Sequence, residues 1–236
     1  MCGRAYETYS DEELYFRYQG TNSEIPLDLT PVYNLCPTQT SPVLRVIAGN
    51  PRFDIMRWQL VPRTEPAFTT KLSTINARSE SVFGSPLYRD LIIRQRCIVP
   101  LSGFYEWKRG DRLSPFRIQL RDEPIMSVAG LWDTWQAGTP EAKHSFSILT
   151  TSANEFMGKI HDRMPVILSR ADEEAWLDPE NNDRETLKSL LKPCASSRLD
   201  AREVSILVNS PKNNSPALLD PPGPEAKLNK TPRLFD

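Results

Sequence analysis

Arg96-Cys97-Ile98-Val99-Pro100-Leu101-Ser102-Gly103-Phe104-Tyr105-Glu106-Trp107 carries charge only at its first and eleventh positions. Apolar, β-branched and aromatic side chains fill the rest, and the run predicts an extended strand with one carboxylate, Glu106, set among aromatics. Burial of that kind raises a carboxylate pKa and makes Glu106 a candidate proton shuttle; the alternative is that it alternates outward to solvent. Downstream, Arg109-Gly110-Asp111 reads as a turn, followed by strands at Pro115–Leu120, Ile125–Trp132 and Ser145–Thr151, a short one at Pro165–Leu168 and a last one at Val204–Val208. Two helices fall near Asp172–Trp176 and Asp183–Leu191. Upstream, Pro86–Arg94 reads as a helix with Leu87, Leu91 and Ile92 on one face, and residues 63–71 as a polar loop. Val43–Ala48 and Phe53–Leu60 form a predicted hairpin around Gly49-Asn50-Pro51. Residues 20–42, punctuated by Pro26, Pro31, Pro37 and Pro42, read as irregular. Ser10-Asp11-Glu12-Glu13 has the Ser-x-x-Glu form of a capping box opening a short helix. Many strands and few helices predict a strand-dominated α+β fold, in a single domain over residues 2–220 with a disordered tail at 221–236.

Composition narrows the class. The 236 residues are 39% hydrophobic and carry a net charge of −1, as an ordinary globular chain does. No apolar run approaches the ~18 residues of a membrane span, and the N-terminus lacks the build of a signal peptide. Cys2, Cys36, Cys97 and Cys194 lie far apart, with only His144 and His161 to help them, which argues against a zinc site or a disulfide framework and for a cytoplasmic protein with reduced thiols. From Val43 to Arg121 there are 14 Lys and Arg against 6 Asp and Glu, a local +8. Either an anion-binding cleft or surface scatter accounts for it.

The chemistry concentrates at Met1-Cys2-Gly3-Arg4. Removal of Met1 exposes an α-amine and a thiol on one residue, and an α-amine with a reference pKa near ~8 is partly neutral at physiological pH. Amine and thiol together suit condensation with an aldehyde to an imine, closed by sulfur into a thiazolidine. Asn76-Ala77-Arg78-Ser79-Glu80 and His161-Asp162-Arg163-Met164-Pro165, with Thr150-Thr151-Ser152 just upstream of the latter, add amide, guanidinium, hydroxyl and imidazole groups. For Arg78 and Glu80 the alternative is a surface ion pair, and for His161 a loop histidine.

Met1-Cys2-Gly3-Arg4, Tyr33-Asn34-Leu35-Cys36-Pro37-Thr38, Met56-Arg57-Trp58, Asn76-Ala77-Arg78-Ser79-Glu80, Gly103-Phe104-Tyr105-Glu106-Trp107 and His161-Asp162-Arg163-Met164-Pro165 occur in one order, ending with Val208-Asn209-Ser210-Pro211-Lys212-Asn213. The series closely resembles the SRAP (SOS response-associated peptidase) family of abasic-site processing proteins. The resemblance implies a mostly antiparallel, β-barrel-like core with flanking helices. It implies covalent capture of abasic sites in single-stranded DNA, including at junctions with duplex, by Cys2 as a thiazolidine, without a cofactor. By the same resemblance Asn76 orients the amine or the opened sugar, Glu106 shuttles protons and His161 assists sugar opening. Arg4, Arg78 and Arg163 hold phosphates with Thr150 and Ser152 beside them, and Trp58 and Trp107 offer faces for bases. It further implies an AP-lyase-type activity with self-processing at Met1, a monomer, and, in a bacterium, an association with the nucleoid. Cys36 stands where the family pattern commonly has Ala before the Pro, Gln59 where it has Gly after the Trp, and Arg63-Thr64 where an aromatic is frequent. Two other classes compete: a peptidase in which Cys2 attacks an amide or ester with Glu106 and His161 as base and acid, and a non-enzymatic DNA-binding module built on the basic middle.

Overall fold

The central apolar run is not one strand. It bends at Ser102, and its halves enter different sheets. In the computed structural model, which describes residues 2–18, 27–108, 110 and 113–223, the strands are β1 (Ala5–Glu7), β2 (Val32–Leu35), β3 (Thr40–Ile47), β4 (Asn50–Trp58), β5 (Asn76–Arg78), β6 (Arg96–Leu101), β7 (Gly103–Lys108), β8 (Ser114–Leu120), β9 (Met126–Trp135), β10 (Lys143–Ser152), β11 (Arg163–Pro165) and β12 (Leu199–Glu203). The helices are α1 (Asp11–Arg17), α2 (Leu91–Arg94), α3 (Arg170–Leu177) and α4 (Arg184–Leu190). One sheet has the order β12-β8-β7-β1-β2 and the other β11-β10-β4-β3-β6-β9. β9 also pairs with β10, so β10, β4, β3, β6 and β9 close into a ring. This is the mixed α+β, barrel-like core expected; the pairings are antiparallel except where β4 and β5 run parallel to β10.

The ring is buried on both faces. Val43, Cys97, Val99, Val128 and Ile148 join one apolar cluster, which continues into Leu35, Phe104 and Ile118 of the other sheet. Their neighbours Leu44, Ile98, Ala129 and Leu149 join a second cluster, covered by Leu14 of α1, Ile92 of α2, Trp176 of α3 and Leu187 of α4. Two-sided burial explains why these strands read as near-continuous apolar runs rather than alternating ones.

Several local expectations change. The hairpin turns at Ala48-Gly49, both at positive φ (50° and 79°), the two-residue left-handed turn that matches strand twist. The expected helix over Pro86–Arg94 is helical only at Leu91–Arg94, with turns before it. The expected strand at Val204–Val208 lies earlier, at Leu199–Glu203, and Ile206–Asn209 is a short 3-10 turn. At Pro165–Leu168 the strand is Arg163–Pro165, with a lone bridge from Ile167 to Val128. β1, β2 and β5 are too short to leave a pattern; β2 and the start of β3 occupy part of the stretch read as irregular. Residues 20–26 of that stretch, Arg109 and Asp111 of the expected turn, and residues 224–236 of the expected tail lie outside the described residues. The capping box forms as read, Ser10 Oγ accepting from the Glu13 N–H at 3.2 Å and the Ser10 N–H donating to Glu13 Oε2 at 2.8 Å.

Buried Arg96 anchors the helices, donating to the carbonyls of Ile92, Trp176 and Asp178, so one guanidinium satisfies the C-terminal ends of α2 and α3. At one end of the ring Arg45 pairs with Asp54 (Nε–Oδ2 2.6 Å), lies 4.1 Å from the Trp132 ring centroid and reaches His144 Nε2 at 3.3 Å. His144 Nε2 accepts from this permanent donor, which puts the ring proton on Nδ1, facing Thr134 Oγ1 at 3.0 Å. Burial and then the Arg45 charge hold the His144 pKa below its usual value, with Arg52 acting in the same direction and Asp54 against it. Below the ordinary histidine pKa of ~6.5, the unfolded chain takes up a proton that the folded chain resists. His144 therefore takes away stability as pH drops from 7 to 5, so the Tm of a His144→Gln variant relative to the wild type is expected to rise over that interval, measured by thermal melts of both proteins at each pH.

Candidate active site

β1 is an interior strand of its sheet, paired with β2 on one side and β7 on the other. The Tyr105 N–H also donates to the Arg4 carbonyl at 2.9 Å, extending the β7 pairing toward the N-terminus. Gly103 permits this close approach: a Cβ there would sit 2.3 Å from Tyr6 Oη. Antiparallel pairing of Ala5 with Phe104 sends β7 back past the chain start, so Glu106 faces the first residues rather than solvent. Cys2 is fully buried, and Glu106 is 3% exposed. Burial, followed by the Glu106 charge, pushes the Cys2 thiol far above its ordinary pKa, against smaller opposing effects of the N-terminal ammonium and then an Arg4 backbone hydrogen bond. The sulfur is therefore held as a neutral thiol.

β5 brings the amide. It runs parallel to β10, with Asn76 opposite Ile148, and Asn76 Nδ2 donates to the Cys2 carbonyl at 2.8 Å. Asn76 Oδ1 is buried and accepts no hydrogen bond among the described residues, an acceptor held close to Cys2 at a cost normally avoided in protein interiors. Thr150 of β10 pairs with Arg78 of β5 on one side and with Pro165 of β11 on the other, which gathers Arg78, Arg163 and His161 at one end of β10. His161 Nδ1 lies 3.0 Å from the Arg163 N–H and 2.9 Å from Asp162 Oδ1. A neutral ring accepts the first contact and a protonated ring donates to the second, so both states have a partner.

Not every expected residue is presented to a ligand. Arg163, not Arg78, pairs with Glu80 (Nη1–Oε1 2.5 Å), and it also donates to the Thr150 carbonyl at 2.7 Å. That pairing lowers the Glu80 pKa. Arg78 is exposed, and its guanidinium has no hydrogen-bond partner among the described residues. Ser152 is exposed. Thr150 is fully buried, its hydroxyl 3.4 Å from the Ala77 carbonyl, so it is not an open phosphate donor. Trp58 is fully buried too, stacked on Phe146 with its indole N–H on the Ile75 carbonyl, so it offers no face to a base; it is a core residue. Trp107 is half-buried, donates to Asn209 Oδ1 at 2.7 Å and lies 5.9 Å from the Arg4 guanidinium. Arg4 itself is drawn inward, donating to Asn34 Oδ1 and the Val208 carbonyl. Nor is the basic middle one cleft: Arg45 and Arg52 serve Asp54, Arg63 serves Asp133 and Arg96 serves carbonyls.

Sequence reasoning quoted Asn34 but gave it no part. Only 2% exposed, it donates to the carbonyls of Ser210 (3.0 Å) and Asn213 (2.8 Å) and holds Arg4, fastening the segment after Leu207 across the chain start. Its burial comes from partners at residues 208–213, so no local signal in the sequence marks it. Among the described residues no three His, Cys, Asp or Glu side chains converge as metal ligands, and no helix is long and apolar enough to cross a membrane.

A buried cysteine near the start of the chain thus meets an amide and a carboxylate carried by two different sheets. The chain belongs to the SRAP family (SOS response associated peptidase), whose family model matches residues 1–211. Among its relatives, the abasic site processing protein YoaM of Bacillus subtilis is 41% identical, the alignment covering 93% of this chain and 98% of that one. YoqW of the same organism, also named an abasic site processing protein, is 38% identical over 93% of this chain and 99% of its own. The abasic site processing protein HMCES of Xenopus tropicalis is 31% identical over 79% of this chain and 64% of its own. A crystal structure of a Bacteroides thetaiotaomicron protein superposes with a TM-score of 0.82 at 30% identity, over 93% of this chain and 99% of that one.

Asn34→Ala removes a charge-assisted bond and leaves two part-buried carbonyls to be satisfied by water, so it is expected to cost on the order of 2 kcal/mol in urea denaturation and to expose the chain after Leu207 to limited proteolysis.

Proposed function

We propose that this chain processes abasic sites in DNA, capturing the ring-opened aldehyde of the lesion on Cys2 once Met1 is removed. The observation that carries this reading is the meeting of Cys2, Asn76 and Glu106: a buried amide bonded to the Cys2 carbonyl, a free amide oxygen beside it, and a carboxylate close enough to act on the thiol. The α-amine attacks the aldehyde carbon, and loss of one water gives the imine. The sulfur then bonds to that carbon while its proton passes to nitrogen, closing the thiazolidine with no oxidant or further reactant. A sulfur buried beside a carboxylate favours this order, amine first and sulfur second, over direct thiolate attack on an amide or ester. Glu106 takes the proton released from the attacking amine and returns it to the departing hydroxyl. His161, with a partner in either protonation state, acts on the sugar oxygens.

The substrate in this reading is single-stranded DNA, including its junctions with duplex, bound by a monomer and, in a bacterial cell, at the nucleoid. Residues 2–220 form the working unit, with the tail beyond it dispensable. Where capture by sulfur fails, the iminium proceeds to β-elimination, an AP-lyase outcome, and peptidase chemistry is confined to self-processing at Met1. Exposed Arg78, rather than the engaged Arg4 and Arg163, supplies the phosphate contact. Arg78→Ala should weaken binding to single strands of any sequence and flatten the dependence of log K on log salt by ~0.7, read in a fluorescence titration at several salt concentrations. An unchanged slope would return Arg78 to the solvated surface.

The two nucleophiles of Cys2 separate in the deciding experiment. Cys2→Ala keeps an α-amine after Met1 removal, so borohydride should trap an imine with an abasic oligonucleotide, while no adduct survives without reductant. A protein whose Met1 is retained behind an uncleaved tag keeps the thiol but should give neither species on a denaturing gel. A heat-stable adduct from the tagged protein would sink the thiazolidine reading.

A further inference from the structure

Gln59 has a backbone φ of 107°, a region that L side chains rarely adopt and that persists only where surrounding structure enforces it. Its location in the topology is specific. β10 is flanked by β4 through Phe146, opposite Trp58, and by β5 from Ile148, opposite Asn76, so one edge of β10 changes partner across a single residue, Ser147. Gln59 is where β4 lets go: its N–H still donates to the Phe146 carbonyl at 3.0 Å, but the next N–H, of Leu60, donates to Thr74 on the returning limb of its own loop at 3.3 Å. That limb leads directly through Ile75 into Asn76. The Gln59 side chain binds the same limb, with Nε2 3.4 Å from the carbonyls of both Thr70 and Leu72, while its Oε1 accepts from Arg57 at 3.1 Å.

We propose that Gln59 is a positioning residue for Asn76: its left-handed backbone turns β4 off β10 at the point where β5 takes over, and its amide straps down the loop that delivers Asn76 to the Cys2 carbonyl. The strain serves the site rather than the stability of the fold. Glycine adopts this φ freely but has no amide, so Gln59→Gly relieves the strain and cuts the strap, and Gln59→Ala keeps the strain and cuts the strap.

The inference deepens the reading of Asn76 and Cys2 given above, so the test has one arm that needs no DNA. In native-state hydrogen exchange, the amides of residues 76–79 should exchange at least about 5-fold faster in Gln59→Gly than in the wild type, while its Tm rises by about 3 °C. Gln59→Ala should show the same faster exchange with a Tm at or below that of the wild type. In the second arm, adduct formation with an abasic oligonucleotide at saturating DNA should slow by about 3- to 10-fold in both variants, with the half-saturating DNA concentration within about 2-fold of wild type. A residue with a merely structural role would make reactivity follow stability, and Gln59→Gly would then react as fast as the wild type or faster. Unchanged exchange at residues 76–79, or a wild-type adduct rate in the more stable Gln59→Gly, overturns the proposal. If the wild type forms no adduct while the exchange difference appears, the reading of the chemistry fails and the strap stands.

Discussion

The structure depends on backbone pairing along both edges of β1. A chain terminus normally frays because its first residues have unpaired amides and little apolar area to bury. Here residues 5–7 are hydrogen-bonded to β2 and β7, and Ala5, Tyr6 and Glu7 are all buried. Cys2 therefore emerges at a fixed point between two sheets instead of sampling solvent. The constraint reaches Gly103, where any side chain would collide with Tyr6, and Ser102, whose hydroxyl accepts from the Thr8 N–H at 2.9 Å where the chain passes from one sheet to the other.

Burial decides the electrostatics. A nucleophilic cysteine working alone is usually found beside cations that favour the thiolate. At Cys2 burial and a nearby carboxylate favour the protonated sulfur and outweigh the N-terminal ammonium, which acts the other way. In the proposed reaction that environment suits a thiol whose proton passes to the adjacent nitrogen as the carbon–sulfur bond forms. Glu7, buried nearby in sequence, follows the same rule; burial pushes its pKa to about 8 despite the bond it accepts from Ser41 Oγ at 2.5 Å. A carboxylic acid that stays protonated at neutral pH adds no further negative charge between the sheets.

The cations are mostly employed within the fold. Arg45 closes one end of the ring, Arg96 fastens two helix ends, and Arg17 pairs with Glu173 to tie α1 to α3. Arginine suits such places because its planar fork meets several acceptors at once and remains charged when buried. Arg78, exposed and paired through its backbone with Thr150 near the end of β10, differs from these in having no side-chain acceptor among the described residues.

The sequence by itself determined the class of fold, because β-branched and aromatic runs buried on two faces leave a signal over many consecutive residues. It also determined the capping box at Ser10 and Glu13, whose partners are three residues apart, and through the family resemblance it raised the expectation that Cys2, Asn76, Glu106 and His161 act together. Tertiary structure alone decided which side chains face a ligand. Trp58 and Thr150 look polar or aromatic enough for a surface site but are sealed in by strands remote in sequence. Glu80 chose Arg163, 83 residues away, over its neighbour Arg78, because β5 and β11 meet across β10. Asn34 and Gln59 were equally illegible, since a buried amide and a left-handed φ are imposed by contacts with residues 206–213 and with β10, not by their own neighbours. Local pattern reports propensity and period; which groups are desolvated, paired or strained depends on non-local pairing, and that exists only in the folded chain.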